Sequence, residues 1–107
     1  MSIVSIYAVF ANAEEAERIG RTVIAEKLAA CINILAPCKS IYRWESKIET
    51  ATEVPAILKT HGWQVDELIE RIAALHSYDT PCIAVWPIEK LLRRYADWVE
   101  DSVLSDD

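Results

Sequence analysis

Glycine is scarce in this chain. Gly20 and Gly62 are the two present, so no glycine-rich loop can cradle a phosphate, and the Walker and dinucleotide-binding fingerprints are both excluded. Cysteine occurs three times, at Cys31, Cys38 and Cys82. An odd number without a Cys-x-x-Cys pair argues against a disulfide framework. Positive charge is also short: eleven Lys and Arg face seventeen Asp and Glu, a net charge of −6. Nucleic-acid binding calls for the opposite balance and is not expected. No apolar run approaches the ~20 residues of a membrane span. The opening segment, residues 1–7, has neither a basic stretch nor a small-residue cleavage site. It reads as a strand, and the expected location is the cytoplasm. Repeats, linkers and low-complexity segments are missing too, so residues 1–107 are read as one domain.

What the chain does have is apolar mass. Hydrophobic residues make up 52% of it, with four Trp and four Tyr, more than a small core consumes, which points to apolar surface left over for a partner. Ile3 to Phe10 reads as a first strand. Asn12 with Glu15 forms a capping-box-like start for a helix over about residues 13–29. Its apolar face carries Ala16, Ile19, Gly20, Val23, Ile24 and Leu28, and Gly20 on that face predicts a close approach to a sheet. A second strand starts at Cys31, is interrupted at Pro37 and resumes over Ser40–Glu45. Ser46-Lys47 is the expected turn. The return strand runs from Ile48 to Thr60, with an irregularity at residues 50–53 and a Pro55 that calls for an edge or a bulge. Trp63 to His76 follows as a helix, Cys82 to Trp86 as a strand, and Leu91 to about Val103 as a helix turning Leu92, Tyr95, Trp98 and Val99 inward. The tail at residues 105–107 is expected to fray. The order β-α-β-β-α-β with an added helix is an α+β, ferredoxin-like antiparallel sheet with two helices on one face. Its other face needs a cover.

The hairpin is too long for such a domain. Residues 31–45 fully extended span about 50 Å, against a radius of gyration near ~13 Å for a compact chain of this size. Ile41, Tyr42, Trp44 and Ile48 on that arm cost about 25 cal/mol per Å2 to leave in water. Docking the arm on a second copy in a closed, symmetric assembly removes this cost and protects the strand edges; the alternative is an arm that folds back on its own sheet.

The run Ser40-Ile41-Tyr42-Arg43-Trp44-Glu45-Ser46-Lys47-Ile48-Glu49 resembles a motif of the CutA family, the divalent-cation tolerance proteins. Ala29-Ala30-Cys31-Ile32-Asn33-Ile34, Lys59-Thr60 and His76-Ser77-Tyr78-Asp79-Thr80-Pro81 resemble its other motifs in order, and Glu14-Glu15-Ala16-Glu17 is similar to its first helix. The resemblance implies a ferredoxin-like subunit in a homotrimer whose long hairpin packs across subunits, similar in architecture to PII signalling proteins. It also implies copper binding and a part in tolerance of copper and other divalent metals. The chain departs from the pattern at Ser77, where the family usually has Pro, and over residues 89–94, ahead of the retained Tyr95-x-x-Trp98.

Residue chemistry frames what to look for. Thiolates suit Cu(I) and imidazoles suit copper and zinc, which makes Cys31, Cys38, Cys82 and His76 the candidate metal ligands. None sits in a spaced ligand motif, so a site must be assembled in three dimensions or across a subunit boundary. As plain structure, Cys31 and Cys82 read as buried strand starts and Cys38 as the accessible thiol. His61 reads as a solvated cap, and His76 as a partner of a helix C-terminus. Tyr42, Trp44, Lys59, Tyr78 and Trp98 match positions that the CutA family retains, and with Arg43 and Glu45 of the hairpin motif they are the candidate residues of the intersubunit cleft that the resemblance implies. Their composition suits a small-molecule or anion pocket and serves equally as interface packing. No nucleophile-base arrangement is readable, and the glycine-rich anion loop of acylphosphatases, which share the strand order, is lacking. The expectation is a non-enzyme that requires no cofactor and binds copper or another divalent cation. Its expected partners are copies of itself, with a small-molecule ligand or a membrane protein as further candidates.

Overall fold

The computed structural model describes residues 2–104; the tail at 105–107 lies outside them. The elements are β1 (Ile3–Phe10), α1 (Ala13–Ala25), β2 (Cys31–Ile34), β3 (Cys38–Trp44), β4 (Lys47–His61), α2 (Val65–Leu75), β5 (Ile83–Pro87) and α3 (Arg93–Leu104), with a 3-10 turn at Gly62–Gln64 before α2. The strands form one antiparallel sheet of order β2-β4-β1-β5, and β3 pairs with the outer half of β4. This is the ferredoxin-like arrangement the sequence predicts.

Strand alternation explains where the core sits. Ile6, Ala8 and Phe10 of β1 share a face with Val54, Ala56 and Leu58 of β4, and all are buried against Ile19 and Val23 of α1 and Leu68 and Ile72 of α2. Fully burying side chains such as Leu58 or Ile72 contributes about 1.5–3 kcal/mol each. A Cβ added at Gly20 would lie 2.9 Å from Ile32 Cδ1 and 3.0 Å from Cγ2, so the missing side chain is what lets α1 settle on β2.

Helix α1 ends four residues short of its expected limit at 29. Lys27 takes φ 61°, Lys27 N–H donates to Ile24 O at 3.0 Å, and Leu28 N–H donates to Val23 O at 2.9 Å. That is a Schellman closure with lysine in the usual glycine position. It turns Leu28 and Ala29 down into the core rather than along the helix.

The hairpin differs from expectation in three places. Its two-residue turn is Glu45-Ser46, not Ser46-Lys47, since Trp44 pairs with Lys47. Both turn residues have positive φ, 49° and 67°, as a type I′ turn requires. Residues 50–53 are regular strand, paired one-to-one with β3. Pro55 lies in a strand paired on both sides, without a bulge: β1 and β4 stay in register from Ile3↔His61 to Phe10↔Val54. Val9 N–H donates to Cys82 O, and Leu35 N–H to Pro55 O at 2.9 Å. The polar edge of Pro55 therefore faces away from β1 and toward the break between β2 and β3 that contains Pro37. A missing N–H costs little there, because Pro55 falls between the two ladders, β2–β4 ending at Ile34↔Ala56 and β3–β4 at Cys38↔Glu53.

Helix α3 covers one end of the sheet face that α1 and α2 leave open. Val99 and Val103 are buried against Ile3 and Ala30, and Gln64 Nε2 donates to Val103 O at 3.0 Å. Leu92 and Trp98, expected to point inward, are exposed. The chain measures 46 × 26 × 23 Å, its long axis matching the ~50 Å reach of a fifteen-residue strand such as β4. At the outer end Ile41 is 65%, Trp44 61% and Ile48 72% exposed. Among the described residues no helix is long and apolar enough to cross a membrane.

Candidate functional site

Beyond the edge of α3 the open face of the sheet becomes a groove of about 770 Å3. Its base is set by strand period. Tyr7 and Val9 of β1, Glu53 of β4, and Ser40, Tyr42 and Trp44 of β3 all fall on the face away from the two core helices. The loop between α2 and β5 forms the wall with Tyr78, Asp79, Thr80 and Cys82. Tyr7 is further braced by stacking on Trp86 of β5, with centroids 4.8 Å apart.

That wall is held by a relay of hydrogen bonds rooted in α1. Glu15 is only 6% exposed. Its N–H donates to Asn12 Oδ1 at 2.8 Å, and its Oε1 accepts from Ala11 N–H at 2.9 Å, one residue further back than a capping box. Its Oε2 accepts from Ser77 N–H at 2.8 Å. Burial pushes the carboxyl pKa up, but the bonds from Ser77 and Ala11 and the nearby His76 outweigh it and hold the pKa below the ordinary value. Tyr78 N–H donates to His76 Nδ1 at 3.0 Å, which leaves Nε2 to donate to Val9 O at 2.8 Å. His76 also stacks on Phe10. Tyr78 Oη then donates to Glu53 Oε2 at 2.7 Å. Burial first, then this bond and the charge of Glu53, push the Tyr78 phenol up to about 12. The phenol of Tyr7 is also raised, by burial and then by the charges of Cys38, Cys82 and Glu53. Both phenols stay neutral near pH 7, and the Tyr78 O–H is spent on Glu53.

The expected cleft residues divide. Tyr42, Trp44 and Tyr78 come together in the groove. Arg43 alternates to the other face of the hairpin, Glu45 is in the turn, and Lys59 pairs with Ser5 and Cys31 nearer the α3 end. Trp98 packs on Tyr95 at 5.6 Å. Without Lys59 or Arg43, the groove does not have the make-up of an anion pocket. Tyr7, Glu53 and Asp79 belong to the site and were missed as members of it. Period-two spacing with Val9 was the one sign that Tyr7 shares an uncovered face.

The expected metal ligands do not converge within one protomer. Cys31 Sγ lies 3.3 Å from Tyr95 Oη under α3, and burial together with that contact raises the Tyr95 phenol to about 12. Cys38 Sγ is 3.9 Å from Ser40 Oγ. Of the three thiols, Cys82 is the exposed one while Cys31 and Cys38 are half-buried, which reverses the expected order because Cys82 precedes β5 on the uncovered face. Both nitrogens of His76 are engaged. His61 is buried rather than solvated, with Nδ1 accepting from Trp63 N–H at 3.2 Å and Nε2 3.4 Å from Glu100. Among the described residues no three His, Cys, Asp or Glu side chains gather into a metal-binding set.

Comparison with known proteins bears on the whole chain. Residues 4–102 match the family model for the CutA1 divalent ion tolerance protein. The divalent-cation tolerance protein CutA of Archaeoglobus fulgidus is 46% identical over 98 residues, which cover 92% of this chain and 95% of that protein. The chloroplastic CutA 1 of Oryza sativa is 37% identical, with 91% of this chain covering 55% of that longer protein. The structure described as the periplasmic divalent cation tolerance protein CutA from Archaeoglobus fulgidus superposes with a TM-score of 0.92 at 44% identity, covering 94% of this chain and 98% of that one. CutA from Xylella fastidiosa superposes with a TM-score of 0.93 at 32% identity, covering 96% and 99%. With sequence, sheet order and hairpin all in agreement, this chain belongs to the CutA family.

Proposed function

We propose that this protein contributes to tolerance of divalent cations, working in the cytoplasm as a homotrimer that binds copper or another divalent metal and catalyses no reaction. The observation that carries the reading is the 46% identity, across 95% of its length, to a protein named for divalent-cation tolerance. The exposed Ile41, Trp44 and Ile48 of the hairpin support the assembly, since they give one copy a reason to dock on another. Because no metal set converges among the described residues of one protomer, the metal reading places the ligands at a boundary between copies, with Cys38 and Cys82 as the thiolates nearest the groove.

Light scattering tests the assembly: a mass three times the 12.1 kDa chain is expected, and a monomer at micromolar concentration overturns it. Equilibrium dialysis with Cu(I) and Cu(II) tests the metal. Copper retained beyond that held by an unrelated acidic protein, and lost when all three cysteines become serine, supports a thiolate site. Equal retention by both proteins rejects it.

A second reading is favoured by the groove itself, whose volume of about 770 Å3 is that of a small-molecule site. In it the trimer is a PII-like signalling or scaffold protein that takes a ligand or partner at the seam. A ligand-dependent rise in Tm, abolished by Trp44→Ala, is its expected signature.

A further inference from the structure

We infer that His61 is a pH-sensitive latch at the end of β4. Neutral, its ring holds the Gly62–Gln64 turn; protonated, it gives up the turn for a charged grip on Glu100 of α3. Every group in the latch belongs to one chain.

The two ring nitrogens serve different elements. Nδ1 accepts the N–H of Trp63 at 3.2 Å, so in the neutral ring the proton sits on Nε2. Nε2 lies 3.4 Å from Glu100 Oε2. The His61 side chain is buried and that of Glu100 is half exposed. A proton taken from solvent at Nδ1 turns this acceptor into a donor that faces a second donor. The bond from Trp63 is lost. The new charge falls to Glu100, and the contact tightens as it becomes an ion pair. The other charges near the ring are mixed. On α3, Arg93 and Asp97 line the same hollow as Glu100, and Glu89 lines it ahead of the helix. On β4, Lys59 lies two residues back, on the same face of the strand. Ser2 and Ile3 beside the ring, and the turn residues Gly62, Trp63 and Gln64, carry no charged side chain. Carboxylates therefore outnumber cations around the ring, which gives the added proton a partner within the fold.

What the turn holds moves with it. Trp63 stands edge-on to the His61 ring, 5.3 Å between centroids, with its side chain exposed. Gln64 Nε2 donates to Val103 O at 3.0 Å. Opening the turn frees the Trp63 backbone and loosens the C-terminal end of α3 from β4, while Glu100 keeps the middle of the helix in place. Histidine is the side chain suited to such an exchange near physiological pH.

NMR of the isotope-labelled, assembled protein tests the latch between about pH 8 and pH 5. The His61 ring nitrogens are expected to show the proton on Nε2 in the neutral form. As the ring takes up its second proton, the protection of the Trp63 amide against solvent exchange is expected to fall about fivefold, the effect of one lost hydrogen bond. Glu100→Gln removes the charged partner and is expected to move that transition to lower pH. His61→Asn supplies a side-chain oxygen that accepts the same N–H and does not titrate. It is expected to keep Trp63 protected at neutral pH and to abolish the pH dependence, with Tm checked for both variants. A neutral ring with its proton on Nδ1 overturns the latch. So does protonation of His61 that leaves Trp63 protection unchanged, a ring that stays neutral across the range, or a pH dependence that persists in His61→Asn.

Discussion

Tyr78 and Glu53, twenty-five positions apart, are joined by a 2.7 Å hydrogen bond that ties the loop after α2 to the middle of β4. The bond closes one side of the groove. It also makes Tyr78 a reporter of the groove, because its phenol is raised from an ordinary 10.0 to about 12.

That shift has a definite sign. A phenol with a higher pKa in the folded chain binds its proton more tightly there than in the unfolded chain. The stabilisation is complete below pH 10 and is lost as pH rises through about 12. Tyr78→Phe is expected to lower stability by about 1 kcal/mol at neutral pH, the net worth of a typical hydrogen bond. It is also expected to flatten part of the decline in that alkaline window, with Tyr95, likewise raised to about 12, supplying the rest. Urea unfolding across the pH range measures both effects.

Glu15 anchors the same loop from the other side. Its carboxylate accepts the N–H groups of Ala11 and Ser77. Glu15→Gln puts an amide NH2 against one of these donors and is expected to cost about 2 kcal/mol. Because the folded-state pKa is lowered from an ordinary 4.5, the charged form contributes its stability above that value and loses it as pH falls through the lowered one. The gap between native and variant should therefore narrow in acid. Chemical denaturation at neutral and at acidic pH checks this.

Gly20 and Ile32 should behave as a coupled pair. Alanine at position 20 gains helix propensity but pushes its Cβ to 2.9 Å from Ile32 Cδ1. The expected net cost of Gly20→Ala is about 1 kcal/mol. Ile32→Val removes that δ-methyl, so the double variant should be less destabilised than the two single changes added together. A double-mutant cycle of unfolding free energies reads the coupling directly.

The hairpin tip offers a stabilising change. Ser46 holds φ 67° without being glycine, a conformation that costs an L-residue about 1–2 kcal/mol. Ser46→Gly should raise stability by about 0.5–1 kcal/mol and leave the Trp44↔Lys47 pairing intact. Thermal melting, with NMR of the cross-strand pairs, follows both.

Much of the fold was legible because local rules and the global fold agree in this chain. Apolar spacing of 3.6 located α1 and α2, alternating and β-branched runs located the strands, and Gly20 announced a close approach that Ile32 fulfils. The hairpin was legible from length alone. Local reading went astray where a long-range partner decides. Lys27 ends α1 because Leu28 and Ala29 belong to the core, and Pro55 is accommodated inside the sheet because the break at Pro37 stands opposite it.

The candidate site was only half legible, for a related reason. Tyr42, Trp44 and Tyr78 were found through the motifs that carry them. Glu53 and Tyr7 were not, because their place in the groove depends on the register of β3, β4 and β1, which no local pattern encodes. The sequence by itself determined the element types, the strand order and the excess of apolar surface, all of which follow from composition and periodicity. Only the tertiary structure decided which face α3 covers, which thiol is exposed and which residues share the groove. Those depend on register and on packing between distant segments, where a shift of one residue turns every side chain of a strand to the opposite face.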